Sequence, residues 1–466
     1  MAVQSDSFSY FAILTYKLGP PYRQRHQPMK LWKWLVGLCF LLVLVDGALR
    51  KWVLPGQSAA LFVLKDLVLW GSLTMYALTR NPLELPRPLR RTAIPLLLGA
   101  YVFVVMLQAF NPRQPNLTVS MIGLKAHLAF VPLIVLMPAL VAEVTERQIV
   151  RFLWGYAVLV VLPLSALSVY QFNQPATAWV NQYVREMGTI AKAGEHVRVI
   201  STFSYVASHT VYLMFNAFLS AGVLFAGLRT GRRGLLTLGG LLLGTTAVVL
   251  PMTGSRGPIV FILVAWTVLL FIAESRYVSS LRFVGVAILV VIVVIQGTGL
   301  TEGWEALAER AEQANDTGNR IENLLSSPIE GGTRGGLLGY GAGSAHQAAP
   351  RFVPGSFTND WLPDSYIESP MAREIIELGA LGWFVLVALK TVLLYYAYRV
   401  VRRSQGVLGI IVGVTAFCML LIKGPFPVTF NAVAAAFYWG TAGAMLGVWS
   451  RQEVDVRRKQ KVAKTA

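Results

Sequence analysis

Cysteine is nearly absent from this chain. The 466 residues hold two, Cys39 and Cys418, both inside apolar runs, so no disulfide framework or thiolate metal cluster is expected. Thiols in such places usually act as small core hydrophobes. Histidine is almost as scarce, with five scattered at 26, 127, 196, 209 and 346 and no pair at metal-ligand spacing. Charge is scarce as well: 14% of residues are charged and 55% hydrophobic, whereas soluble domains carry roughly 25% charged residues. These shortages exclude a soluble globular enzyme and a small secreted scaffold.

What fills the chain instead is apolar sequence in runs long enough to cross a hydrocarbon core about 30 Å thick. About twelve spans are expected, at 31–48, 59–78, 93–110, 118–141, 149–171, 205–228, 235–253, 257–273, 282–298, 375–398, 407–423 and 430–449. The fold class is therefore an all-α polytopic membrane protein, since a β-barrel would alternate in segments of about ten residues. The chain divides into a polar N-terminal tail (1–30), nine spans (31–298), a long outer loop (299–374), three spans (375–449) and a basic tail (450–466). The tail before the first span contains Arg23, Arg25 and Lys30 and no cleavable signal, so the first span is expected to stay as an anchor.

The formal net charge of +18 could point to nucleic acid, but its distribution points to topology. Basic clusters at 80–91, 229–234, 398–406 and 457–461 fall on one side when spans are counted from a cytoplasmic N-terminus, as the positive-inside rule requires. Both termini are then cytoplasmic and no nucleic-acid partner is expected. A second use of the basic tail is contact with anionic lipids.

The same count leaves three segments outside: a loop at about 172–204, the turn within "PMTGSRGPIVFILVAW" (251–266), and the loop at 299–374. In that turn Arg256 is flanked by Ser255 and two glycines. An arginine there either snorkels to the interface or holds an anion with neighbouring hydroxyl and N–H donors. The long loop opens with "TEGWEALAERAEQANDTGNRIENLL", whose apolar residues recur at helical spacing, as in an amphipathic surface helix. Next comes the glycine-rich "GGTRGGLLGYGAGSAHQ" (331–347), which follows no strand and contains no Walker lysine. A flexible loop, or a backbone lying close to a bulky lipid-linked ligand, accounts for it better than a nucleotide site. No cofactor motif and no DxD acidic pair in the first outer loop is apparent.

Several charges have two readings. Arg373 and Glu374 are an interfacial anchor with its ion-pair partner, or part of a site; Glu377 caps or pairs locally. Asp46, Arg50 and Lys51 straddle the end of the first span, as a structural pairing or a contact to lipid phosphate. Lys65 and Asp66 lie inside the second span, and intramembrane charges usually face a bundle interior. Lys125, His127 and His209 extend that polar groove or are satisfied core residues.

"TGSRGPIVFILVAW" resembles the start of a span in the O-antigen ligase and O-antigen polymerase superfamily of bacterial membrane glycosyltransferases. In the order of that superfamily follow "GNRIENLL", "GYGAG" (339–343) and "IELGALGW" (376–383), and "VDGALRKWVLP" (45–55), "KDL" (65–67) and "VRVISTFSY" (197–205) resemble its exopolysaccharide-type members. The likeness runs from about 45 to 385. It implies a GT-C-like inner-membrane enzyme without a metal, working in exopolysaccharide or lipopolysaccharide biosynthesis. The implied donor is a polyprenyl-pyrophosphate-linked glycan, the acceptor a glycan or lipid-linked glycan, with membrane lipids and other polysaccharide export components as further partners. The chain departs from the ligases at "PDSYIESPMAREIIELG", where Asp364 and Ser365 stand in place of a His-Asn pair. Ligation onto lipid A core is thereby weakened and a polymerase-like or exopolysaccharide-specific variant favoured.

On this resemblance the leaving pyrophosphate would be held by Arg256, Arg320, Arg334, Arg373, Arg198 and Arg50, because guanidiniums neutralise phosphate bidentately. His346, Asp364 and Glu368 are the catalytic candidates for accepting the acceptor proton. Two other classes remain open: a polysaccharide transporter or flippase, and a non-catalytic export-assembly component. Against transport, no internal similarity relates 31–228 to 235–449.

Overall fold

A computed structural model describes residues 31–79, 87–184, 192–193, 196–272, 326, 328–353 and 369–465. The expected span at 282–298 and the amphipathic segment at 301–325 lie outside the described residues. The described residues are mostly helical, and a two-residue antiparallel ladder sets Lys192 against Val197 and Ala193 against His196.

The helices are α1 (Leu31–Ala48), α2 (Ser58–Thr79), α3 (Ile94–Ala109), α4 (Leu117–Leu128), α5 (Leu133–Glu143), α6 (Glu146–Tyr156), α7 (Leu162–Phe172), α8 (Val206–Thr230), α9 (Arg233–Met252), α10 (Gly257–Ile272), α11 (Pro370–Arg403), α12 (Val407–Lys423) and α13 (Ala432–Thr465). Among the described residues, eight helical stretches are long and apolar enough to cross a membrane, with α4 and α5 forming one and α6 and α7 another. Three shorter apolar helices, α3, α10 and α12, accompany them. Each overlaps a span expected from the sequence. The chain is a multi-pass helical membrane protein.

Local chemistry sets several helix ends. Asn116 caps α4 by accepting from Val119 N at 3.0 Å, and Thr145 and Gln148 form a reciprocal capping box on α6. Two π-helical turns, Leu49–Val53 and Ala157–Val161, extend α1 and join α6 to α7. The first carries Arg50 and Lys51. Helices α8 and α13 are buried along most of their membrane length and form the centre of the bundle. Lipid tails are as apolar as leucine, so close packing holds them there rather than hydrophobic transfer.

Helix ends collect on two faces. On one, Lys51 Nζ donates to Ser201 O, Val199 N to Met252 O and Ala342 N to Gln108 O. On the other, Arg403 pairs with Glu453, Lys33 with Glu143, and Glu146 accepts from Val407 N. All the described candidate residues lie on the first, hereafter the site face.

The feature that builds the site face is a break in α11. Gly379 sits at φ 71° and ψ 168°, splitting off a short segment, 370–378, from the long span that follows. The break strands backbone groups, and the glycine-rich loop takes them up. Tyr340 N donates to Ile376 O at 2.8 Å and Gly341 N to Glu377 O at 3.2 Å, while Ala380 N donates to Gly336 O at 2.9 Å. Gln108 and Asn111 of the α3 end add side-chain bonds to Leu338 O and Gly339 O. The glycines of 331–347 therefore approach the protein's own backbone: a Cβ on Gly339 would strike Gly379, and one on Gly343 would strike α4 at Val119 and Gly123.

Gly123 is the partner of that contact, with no room for a Cβ against the Ala342 and Gly343 backbone. Gly123→Ala is expected to cost about 1–3 kcal/mol by overpacking. Gly37→Ala, where a Cβ meets nothing within 4 Å, is expected to leave stability unchanged or slightly raised. Denaturant-titrated unfolding of both variants in detergent micelles checks this.

Candidate functional site

An ionised side chain inside an apolar bundle must find a partner or become neutral. The segment 370–378 brings three such residues into the bundle, Arg373, Glu374 and Glu377, all buried. Glu377 meets His127 of α4, with Nε2 to Oε2 at 2.8 Å and neither side chain exposed. On the other side of the imidazole, Nδ1 lies 3.1 Å from the Tyr101 hydroxyl of α3. Glu374 accepts from the Thr429 hydroxyl at 2.7 Å and stands 3.6 Å from Lys390 Nζ, which also donates to Phe426 O. The ring of Phe430 completes this group, with Arg373 5.7 Å from its centroid and the His346 and His127 rings at 5.9 and 6.5 Å.

His346 closes the glycine-rich loop. Burial pushes its pKa down to about 4, opposed by the nearby Glu377 carboxylate and reinforced by Lys125 and Arg373. The ring is therefore neutral at neutral pH. Its Nδ1 accepts from Ala348 N at 3.1 Å, so the neutral ring carries its proton on Nε2. That nitrogen is a donor. The geometry fits hydrogen bonding to an anion better than the proton acceptance expected from the sequence.

Two arginine-bearing groups lie at the two ends of the stretch 198–204. At one end Arg198 staples the SRG turn, with Nε to Thr253 O at 2.8 Å and Nη2 to Ser255 Oγ at 2.7 Å. Arg256 is the next residue, and its carbonyl accepts from Ile259 N at 3.1 Å and so starts α10. At the other end Arg50 lies 3.5 Å from Ser204 Oγ, 2.8 Å from Ser58 Oγ and 3.7 Å from Asp46. Asp46 also pairs with Lys65 at 3.4 Å, and Asp66 with Lys125 at 2.9 Å.

The arginines expected to act together are thus divided. Arg198 and Arg256 share the SRG turn; Arg50 belongs with the ends of α1 and α2; Arg373 sits with His346 at Phe430. Arg334 is exposed, on helical turns at 328–335 that pack on the start of α11. Arg320, Asp364 and Glu368 lie outside the described residues. Two readings need correction. Arg373 and Glu374 are not an interfacial anchor and its partner: Arg373 is 3% exposed, and Glu374 pairs with Lys390 on the same helix. The pairing of Glu377 is not local, since its partner His127 is 250 residues away.

Sequence reasoning missed Tyr101, Lys390, Thr429 and Phe430. Lys390 carried a signal, being a lone cation in the apolar run "WFVLVALKTVLLYY". Tyr101 and Phe430 carried none, because aromatic residues are common throughout these runs. Among the described residues no three His, Cys, Asp or Glu side chains group as a metal site. No family model, curated protein or solved structure matches the chain.

His127→Ala would leave the Glu377 carboxylate buried without its partner, and is expected to destabilise the protein by about 3–5 kcal/mol. Glu377→Gln keeps a hydrogen bond to the imidazole and should cost less; denaturant titration in micelles ranks the two. His346 adds a pH dependence. Its folded pKa of about 4 lies below the usual value of 6.5, so its contribution to stability is complete above 6.5 and is lost as pH falls towards 4. The stability difference between wild type and His346→Gln should be flat above pH 6.5 and drift in favour of the variant below it.

Proposed function

We propose that the protein is a metal-independent glycosyltransferase that joins or polymerises polyprenyl-pyrophosphate-linked saccharide units at the outer face of a bacterial inner membrane. In this reading the bundle has twelve spans, both termini are cytoplasmic, and the site face is periplasmic. One observation carries the reading: cationic and N–H-donating side chains collect at one end of an apolar bundle, at the level where a lipid-linked phosphate would lie. Arg198, fixed by Thr253 and Ser255, brings a second guanidinium to the turn that holds Arg256. Arg373 and the His346 ring both lie against the Phe430 ring.

The chemistry asks for this charge. An acceptor hydroxyl attacks the anomeric carbon from the face opposite the pyrophosphate and forms the new C–O bond. The bond from that carbon to the phosphate oxygen breaks, and its electron pair leaves with the pyrophosphate. The hydroxyl proton passes to a carboxylate, a role left to Asp364 and Glu368 now that His346 is a donor. Fixed guanidiniums stabilise the charge that grows on the leaving oxygens. They act best where water is excluded, which segment 370–378 and its buried partners favour.

One observation favours a second reading, transport of a lipid-linked saccharide. Helix α11 is broken at Gly379 and carries buried ionisable residues beside the break, as the discontinuous helices of transporters do.

Purified protein supplied with a polyprenyl-pyrophosphate oligosaccharide, without divalent metal, separates the two. Longer glycans are expected from wild type, with kcat lowered about 10²–10³-fold in Arg256→Ala and partly restored in Arg256→Lys. Translocation across proteoliposomes without any new glycosidic bond would replace the transferase reading by transport.

A further inference from the structure

Helix α12 is enclosed by protein. Every residue from Gly413 to Leu420 is buried, a stretch of more than two turns, so all sides of the helix meet neighbours rather than lipid. Helix α8 comes so close that a Cβ on Gly222 would strike Ile411 O, and α11 presses Val400 against Gly413. The helix starts on the face where Val407 N donates to Glu146. Its last residue, Lys423, therefore lies on the site face.

Lys423 is half-buried. Among the described residues it has no hydrogen-bond, ion-pair or ring partner, and no charged group acts on it. The contrast with Lys390 is direct. Both lysines adjoin the connection between α12 and α13, but Lys390 has Glu374 at 3.6 Å and Phe426 O at 3.3 Å. A lysine on the perimeter of a bundle snorkels to bulk headgroups. One at the end of an enclosed helix opens into the mouth of the bundle, where intramembrane charges mark substrate paths.

The connection that follows Lys423 ties this mouth to both parts of the site. Phe426, three residues on, packs against Phe261 of α10 with ring centroids 5.3 Å apart. Phe261 comes five residues after Arg256, about 7.5 Å along a helix axis at 1.5 Å per residue. Further on, Thr429 donates to Glu374, Phe430 receives Arg373 and His346, and Asn431 accepts from Ser208 at the start of α8.

We propose that Lys423 binds a phosphate oxygen of the lipid-linked substrate at the mouth of the bundle, beside the SRG turn. This rests on the reading that the substrate is a lipid-linked saccharide, which transfer and transport share. The ammonium is a point charge with three donors on a flexible stem, so it can follow a phosphate as the substrate settles. A phosphate also supplies the counter-charge that the protein withholds from Lys423 and gives to Lys390.

Native mass spectrometry of the purified protein with a polyprenyl pyrophosphate, and separately with inorganic pyrophosphate and with dioleoyl phosphatidylglycerol, tests this. Wild type is expected to retain the polyprenyl pyrophosphate, and Lys423→Gln to weaken it at least about tenfold, the worth of one charge-assisted hydrogen bond. Lys423→Arg should restore most of it, and phosphatidylglycerol should bind wild type and variants alike. Undiminished retention in Lys423→Gln overturns this proposal alone; no retention by wild type overturns the lipid-linked substrate with it. Equal loss of phosphatidylglycerol in the variant, or inorganic pyrophosphate binding as tightly as the lipid, also refutes the assignment. Amine acetylation of wild type keeps the test independent of variant folding. Added polyprenyl pyrophosphate should slow modification of Lys423 and not of Lys33 on the opposite face, and an unslowed Lys423 sinks the proposal.

Discussion

The buried centre of the site face depends on how the break in α11 is satisfied. A helix interrupted inside a membrane leaves backbone donors and acceptors that water cannot reach, and each would cost several kcal/mol. Here the glycine-rich loop supplies the missing partners in both directions across Gly379. The exchange needs backbone against backbone, which explains glycine at 339 and 379, where a Cβ on either would collide with the other. In return the loop gives 370–378 a fixed place in the bundle, and with it Arg373, Glu374 and Glu377. The loop and the buried charges are therefore one device.

Helix α4 ties this device to the rest of the bundle. Three of its residues, two apart, meet three different neighbours. Gly123 lies against the glycine-rich loop, Lys125 reaches Asp66 and Phe62 of α2, and His127 reaches Glu377 of α11 and Tyr101 of α3. Successive residues of a helix are 100° apart, so residues two apart point to widely separated sides. A small rotation of α4 would change all three contacts together. Lys125 also bears on the electrostatics at His346, so the ion pair at Asp66 and the centre of the site share one residue.

The helical runs were legible in the sequence because membrane length and low charge are local properties. So was the polar groove: Lys65, Asp66, Lys125 and His127 declare themselves by standing where charge is expensive. The pairings were not legible. His127 and Glu377 are 250 residues apart, and nothing local says that an imidazole on α4 answers a carboxylate on α11. The glycine run was also ambiguous, since glycine permits approach to a ligand, a loop or a helix alike, and only the positive φ of Gly379 shows which one here. The SRG turn was legible as a cationic turn, but its second guanidinium, Arg198, lies 58 positions before Arg256 and is brought there by hydrogen bonds to Thr253 and Ser255.

The Glu374–Lys390 pair poses the remaining physical problem. Two charges withdrawn into an apolar interior regain in mutual attraction little more than they lose in hydration, and a well-packed apolar pair often does as well. Stability alone does not account for them. Their other contacts do. Glu374 accepts from Thr429 and Lys390 donates to Phe426 O, so both ends of the pair grip the 424–431 connection between α12 and α13. That connection carries Phe430, the ring that Arg373, His127 and His346 surround. An apolar pair would fill the same space without holding the connection in register. The charges are explained by position: they fix an aromatic platform on which a guanidinium and an imidazole donor keep their spacing.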